Sequence, residues 1–258
     1  MRSLLMHADD FGMSQGVVEG ILASMTRGVV TATSAMVCEP EYRERVSRFA
    51  GSLDGRVGLH LQLTDGTPVS DPARVPTLVR EDGRFPRRRE QLGSPDPREI
   101  LDEWHAQLEA LRALGVEPSH INTHHSVHEL PAAADAYARF ALETNLPARG
   151  ATIPFNRSLR ERGVACPDVY VCLWTGGPVR AAYLQRTLRG LARVVPEGGW
   201  LEIACHPARV DEELTRRSTY SRERADELEV LCQPELPAAI HELGYRLGAP
   251  AELRHAVR

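Results

Sequence analysis

Residues 2–12 read Arg2-Ser3-Leu4-Leu5-Met6-His7-Ala8-Asp9-Asp10-Phe11-Gly12. Arg2 to Ala8 reads as a short buried strand, yet two adjacent carboxylates follow it, where mutual repulsion and desolvation both oppose folding. A cation, a helix N-terminus or solvent must compensate them. Phe11-Gly12 supplies a sharp exit and an apolar wall.

Ser14 is placed to cap a helix whose Val17, Ile21 and Met25 recur at helical spacing until Gly28. Residues 29–37 are β-rich, and a polar helix is expected from about 42 to 53. Val57 to Leu63 alternates with period two, with Leu59, Leu61 and Leu63 on one face and Gly58, His60 and Gln62 on the other. Residues 65–97 are Pro- and Arg-rich and too long for a plain connection, which predicts a lid or substrate-facing excursion. Asp96, Pro97 and Glu99 then mark a helix start with a capping box, and Ile100, Trp104, Leu108 and Leu111 form its buried stripe.

Further strands are expected over 119–123, 148–153, 169–173, 200–205 and 245–247. Helices are expected over 131–143, 178–194, 221–231 and 234–243. Seven or eight strands separated by helices predict a parallel α/β sheet of the (β/α) TIM-like barrel type, one domain spanning 1–258. No glycine-rich nucleotide fingerprint follows the first strand.

Composition narrows the function classes. The 31 Lys and Arg are spread along a chain of net charge -4, so no basic stripe suits nucleic acid, and Arg87-Arg88-Arg89 reads as a solvated loop. No apolar run approaches the roughly 20 residues of a membrane span, and Leu4-Leu5-Met6 is too short for a signal peptide, which predicts a cytoplasmic protein. The five cysteines contain no CxxC pair and read as reduced thiols.

The polar residues most at odds with their surroundings all fall at predicted strand ends: Asp9-Asp10, His60, His124-His125 and His206. In a barrel those ends converge on one mouth. An Asp and two His on separate strands make a facial site for one divalent metal, with positions left for water and substrate. Asp10 can ligate the ion while Asp9 stays free to take a proton. Taken singly, the features have plainer readings. An Asp-Asp pair suits a turn, and a lone His60 suits a satisfied interior residue. Their shared position is what joins them.

Several segments together resemble the YdjC-like carbohydrate deacetylase family, which includes proteins linked to hopanoid biosynthesis. They are Ala8-Asp9-Asp10-Phe11-Gly12, residues 28–34, Gly58-Leu59-His60-Leu61, residues 120–128, Cys205-His206-Pro207, residues 227–231 and residues 244–248. The resemblance implies a deacetylase barrel of the NodB-like type that removes the N-acetyl group from an amino sugar or N-acetylated oligosaccharide. It implies Asp10, His60 and His124 as metal ligands, Asp9 as general base and His206 as general acid. His125 and His128 would orient ligands or contact substrate, and Arg217 and Tyr220 would sit in a sugar-contacting loop. The ligand set suits Zn2+, whereas family members are described with Mg2+; a homodimer is a further family expectation. Where relatives carry Asn, Asp and a third His, this chain has His7, Asn122 and Ser126. Two other classes remain open: a metal-free glycosidase using Asp9 with another acid, and a sugar-binding protein that kept the fold without turnover.

Overall fold

The opening apolar run forms β1 (Arg2–Phe11), buried at every position after Arg2. Such a strand needs partners on both edges and cover on both faces. The computed structural model, which describes residues 1–53, 55–174 and 177–256, supplies both. The other strands are β2 (Ala32–Ala35), β3 (Val57–Leu61), β4 (Ile121–Thr123), β5 (Val169–Cys172), β6 (Trp200–Cys205) and β7 (Tyr245–Leu247). All pairings are parallel, in the order β4-β3-β2-β1-β6-β5, with β7 also on β1. β6 follows β1 from Ser3 to Ala8, so β7 (on Arg2 to Leu4) and β2 (on His7 to Phe11) share its opposite edge in tandem.

The helices are α1 (Gln15–Arg27), α2 (Pro40–Phe49), α3 (Pro97–Ala113), α4 (Pro131–Thr144), α5 (Ile153–Glu161), α6 (Ala181–Leu191), α7 (Glu212–Arg217), α8 (Glu223–Leu231), α9 (Leu236–Glu242) and α10 (Pro250–Ala256). None of the described helices is long and apolar enough to cross a membrane. Ser14 caps α1 by accepting from the Val17 N–H, and Gly28 ends it, as the sequence predicts. Asp96 caps α3, but the expected capping box is absent because the Glu99 carboxylate takes the Thr77 N–H and hydroxyl instead.

The strand expected over 148–153 shrinks to one bridge between Ala148 and Ile121. Thr152 starts a helix there: its hydroxyl accepts from the Phe155 N–H, and Pro154 occupies the first turn, where no N–H is needed. From this segment, beside β4, Arg149 reaches across to Glu202 on β6, Nε to Oε1 2.7 Å. The two sides of the sheet thus meet across its interior, giving a seven-stranded TIM-like barrel. Among the described residues no ladder joins β4 to β5, so the buried side chains complete the closure.

The interior is apolar at the amino end, where Leu5, Ala32, Trp200 and Leu253 of α10 cluster, and polar toward the carboxyl end. Gly58 in β3 marks the change, since a Cβ there would lie 2.5 Å from the His120 ring. Residues 65–97 contain no strand and fold back over the barrel mouth: Asp65 N–H donates to Pro86 O, and Phe85 N–H to Gly66 O. The buried Glu103 carboxylate of α3 anchors this excursion by accepting from the Val69 and Ser70 N–H groups.

Candidate metal and catalytic centre

In a regular strand Asp9 and Asp10 would point to opposite faces. Here the β1–β2 register shifts between Ala8 and Phe11, and Asp10 takes a left-handed backbone, φ 69°, so both carboxylates turn into the same interior. His125 at φ 54° and Asp65 at φ 56° are left-handed as well, and all three line one cavity. Such conformations cost of order 1–3 kcal/mol each and concentrate where geometry serves function.

The cavity, about 590 Å³, has Asp10, His60, His124, His125 and His206 in its walls. Asp10 Oδ1 lies 3.2 Å from His60 Nε2 and 3.2 Å from His124 Nδ1, and those two nitrogens are 3.3 Å apart. Donor atoms about 2.1 Å from one ion, at tetrahedral or octahedral angles, lie roughly 3.0–3.4 Å from one another. The triad fits one divalent cation on three sides. His60 is oriented for it: Asn122 Oδ1, 2.7 Å away, accepts a hydrogen bond from the Nδ1–H of His60 and leaves the Nε2 lone pair facing the site.

The charges point the same way. Burial works against ionised Asp10, but the Arg224 guanidinium and the His124 and His60 rings hold its carboxyl well below the ordinary range. Burial also opposes a charged His60, yet the Asp10 and Asp9 carboxylates raise its pKa, a field that favours a cation.

Asp9 is 5% exposed and does not line the cavity. Its Oδ1 accepts from Asn122 and Arg149 and meets His7 Nδ1; its Oδ2 accepts from Arg149 Nη1 at 2.6 Å. Against the cost of burial, Arg149 keeps this carboxyl well below its ordinary pKa. His206 Nε2 stands 3.9 Å from Asp9 Oδ2. Burial, then Arg224, lowers the His206 pKa to about 4. Its backbone N–H donates to Glu227, whose other oxygen accepts from the Tyr220 hydroxyl. Burial raises the Glu227 pKa to about 7 despite those bonds.

The remaining expected residues divide. His125 lines the cavity, tilted against the His124 ring at 3.8 Å, and the charge of His124, then burial, lowers its pKa to about 3. Arg217 and Tyr220 line it too, although Arg217 is already paired with Glu213. His128 does not: it is fully buried against Thr123 and the Gly150 carbonyl. Phe11, expected to form an apolar wall, is wholly buried in the hydrophobic core and does not line the cavity. Sequence reasoning missed Arg149, Arg224 and Glu227 as parts of the site. The only signal for Arg149 was one charge within the small-residue stretch Pro147-Ala148-Arg149-Gly150.

A model of the family described as YdjC-like protein matches residues 3–242. A carbohydrate deacetylase of Geobacillus stearothermophilus is 36% identical over 248 residues, covering 95% of this chain and 96% of that one. A chitooligosaccharide deacetylase of Yersinia pestis (strain Pestoides F) is 32% identical over 250 residues, 95% and 97% of the two chains. A crystal structure from Enterococcus faecalis V583, provisionally assigned to cellobiose-phosphate cleavage, superposes with a TM-score of 0.88 at 31% identity, covering 98% of each chain.

Proposed function

The chain belongs to the YdjC-like family, and from that premise we propose that it hydrolyses the N-acetyl group of an amino sugar or N-acetylated oligosaccharide. The observation that carries the reading is the convergence of Asp10, His60 and His124 in a cavity that also contains His206. Its similarity to deacetylases of nearly equal length supports the same chemistry.

Asp10, His60 and His124 would hold one divalent ion, Zn2+ by ligand preference or Mg2+. When bound, it would supply Lewis acidity to the acyl oxygen and make water more acidic. The protein's own groups manage the protons. Asp9, kept ionised by Arg149, takes a proton from the attacking water. His206 is neutral at rest, with Nε2 3.9 Å from Asp9 Oδ2; once the two close to hydrogen-bond distance it would take up that proton and deliver it to the departing nitrogen. Water's oxygen bonds to the acyl carbon, the C–N bond breaks, and acetate and the amine leave. The Arg-rich excursion and the 216–220 loop line the same cavity as the triad and would hold the sugar.

The test is acetate release from N-acetylglucosamine, chitobiose and chitotriose by metal-replete protein beside chelated protein. Release that needs the ion is expected. Absence of acetate from every N-acetylated sugar, with the metal bound, would contradict the proposal.

A further inference from the structure

Arg224 in α8 is 4% exposed and lines the cavity of the triad. Its Nε donates to the Tyr220 carbonyl at 2.8 Å, and its Nη2 donates to Asp10 Oδ2, also at 2.8 Å. Its Nη1 is buried and has no acceptor. Burying a donor of a charged group without a partner costs more than burying a neutral one. The other unpartnered buried side-chain atoms among the described residues are Tyr42 Oη, Gln62 Oε1, Trp104 Nε1 and Trp174 Nε1. Those belong to uncharged side chains outside the cavity; Arg224 is both charged and in its wall.

The fork geometry limits what Nη1 can meet. Nη1 and Nη2 belong to one planar guanidinium, and Nη2 is spent on the Asp10 oxygen that faces away from His60 and His124. An acceptor on Nη1 therefore lies within a guanidinium's width of Asp10, beside the triad, where a reacting acyl group must sit. Nη1 has no acceptor within the protein and Arg224 lines the cavity, so an acceptor can arrive with the substrate. A guanidinium favours an oxygen that carries charge over a neutral hydroxyl.

Resting on the deacetylase reading, we propose that Arg224 is a catalytic residue: Nη1 receives the acyl oxygen as negative charge develops there, and then an oxygen of the product acetate. As water's oxygen bonds to carbon, the C=O π pair moves onto the acyl oxygen facing Nη1. When the C–N bond breaks, that pair reforms the carbonyl, and nitrogen takes its proton from His206. Arg224 gives up no proton.

The experiment compares wild type with Arg224→Lys, which can keep a cation on Asp10 while losing the second nitrogen of the fork, and with Arg224→Ala supplemented with methylguanidinium. Metal content, steady-state acetate release and binding of 13C-labelled acetate by NMR are read on each. Expected are wild-type metal content in Arg224→Lys, kcat lower by roughly 10²–10³-fold with KM changed less than about threefold, and acetate binding at least tenfold weaker. Methylguanidinium restores part of the kcat of Arg224→Ala. Full kcat or unchanged acetate binding in Arg224→Lys overturns the proposal, and so does loss of its metal, because Arg224 would then serve only to support Asp10. Failure of the deacetylase reading is separable: wild type would release no acetate from any sugar, while the acetate-binding comparison would still report on Arg224.

Discussion

Arg149 and Asp9 face each other in a two-point ion pair, Nη1 to Oδ2 at 2.6 Å and Nη2 to Oδ1 at 2.7 Å, with both side chains almost wholly buried. One guanidinium thereby holds the proposed base in place, and through Glu202 it also ties the two sides of the barrel together. The adjacent carboxylates of the opening stretch are compensated separately: Asp9 by Arg149, and Asp10 by Arg224 and its histidines.

Removing one partner of a buried pair leaves an uncompensated charge. Arg149→Met is expected to lower folding stability by about 3–5 kcal/mol, measured by urea unfolding at pH 7. The folded pKa of Asp9 lies well below its ordinary 3.8, so its contribution is full above that value and lost as pH falls through the folded pKa. The deficit of the variant should therefore shrink on acidification. An equal deficit at pH 7 and in strong acid would disprove this assignment.

Glu227 has the opposite sign. Its folded pKa, about 7 against an ordinary 4.5, means that its stabilising contribution is present below 4.5 and lost as pH rises through 7. The shift corresponds to about 3 kcal/mol. Glu227→Gln keeps an acceptor for the His206 N–H and should flatten the fall in stability between pH 4.5 and about 7. Denaturant midpoints across that range would decide, and a slope identical to wild type would refute the point.

Asp9→Asn and His206→Gln should each reduce kcat by on the order of 10²–10⁴-fold while the metal stays bound. Because both act on one proton path, the double variant should be little worse than either single one. Near-normal turnover in Asp9→Asn, or effects that multiply in the double variant, would show that the path is wrong.

The gathering of Asp10, His60 and His124 was legible because parallel strands of a barrel end at one mouth whatever their separation in sequence. The left-handed turn at Asp10 was not, since nothing in Asp9-Asp10-Phe11 reveals a slip in register. The strand expected over 148–153 overlooks Thr152 followed by Pro154, which carries the signature of a helix start. Arg149, Arg224 and Glu227 stayed hidden for a different reason. Arg149 lies outside every motif segment and acts through tertiary contacts with Asp9 and Glu202, whereas Arg224 and Glu227 sit in a helix whose charges read locally as a solvated face, although the resemblance singles out residues 227–231.

The central claim, that Asp10, His60 and His124 bind an ion on which turnover depends, is tested most directly by titrating chelated protein with Zn2+ or Mg2+ while recording bound metal and acetate release. Activity is expected to rise in step with occupancy to a single ion per chain, and His60→Ala neither to bind the ion tightly nor to recover activity. Full turnover by the metal-free protein, or equal binding by His60→Ala, would contradict it.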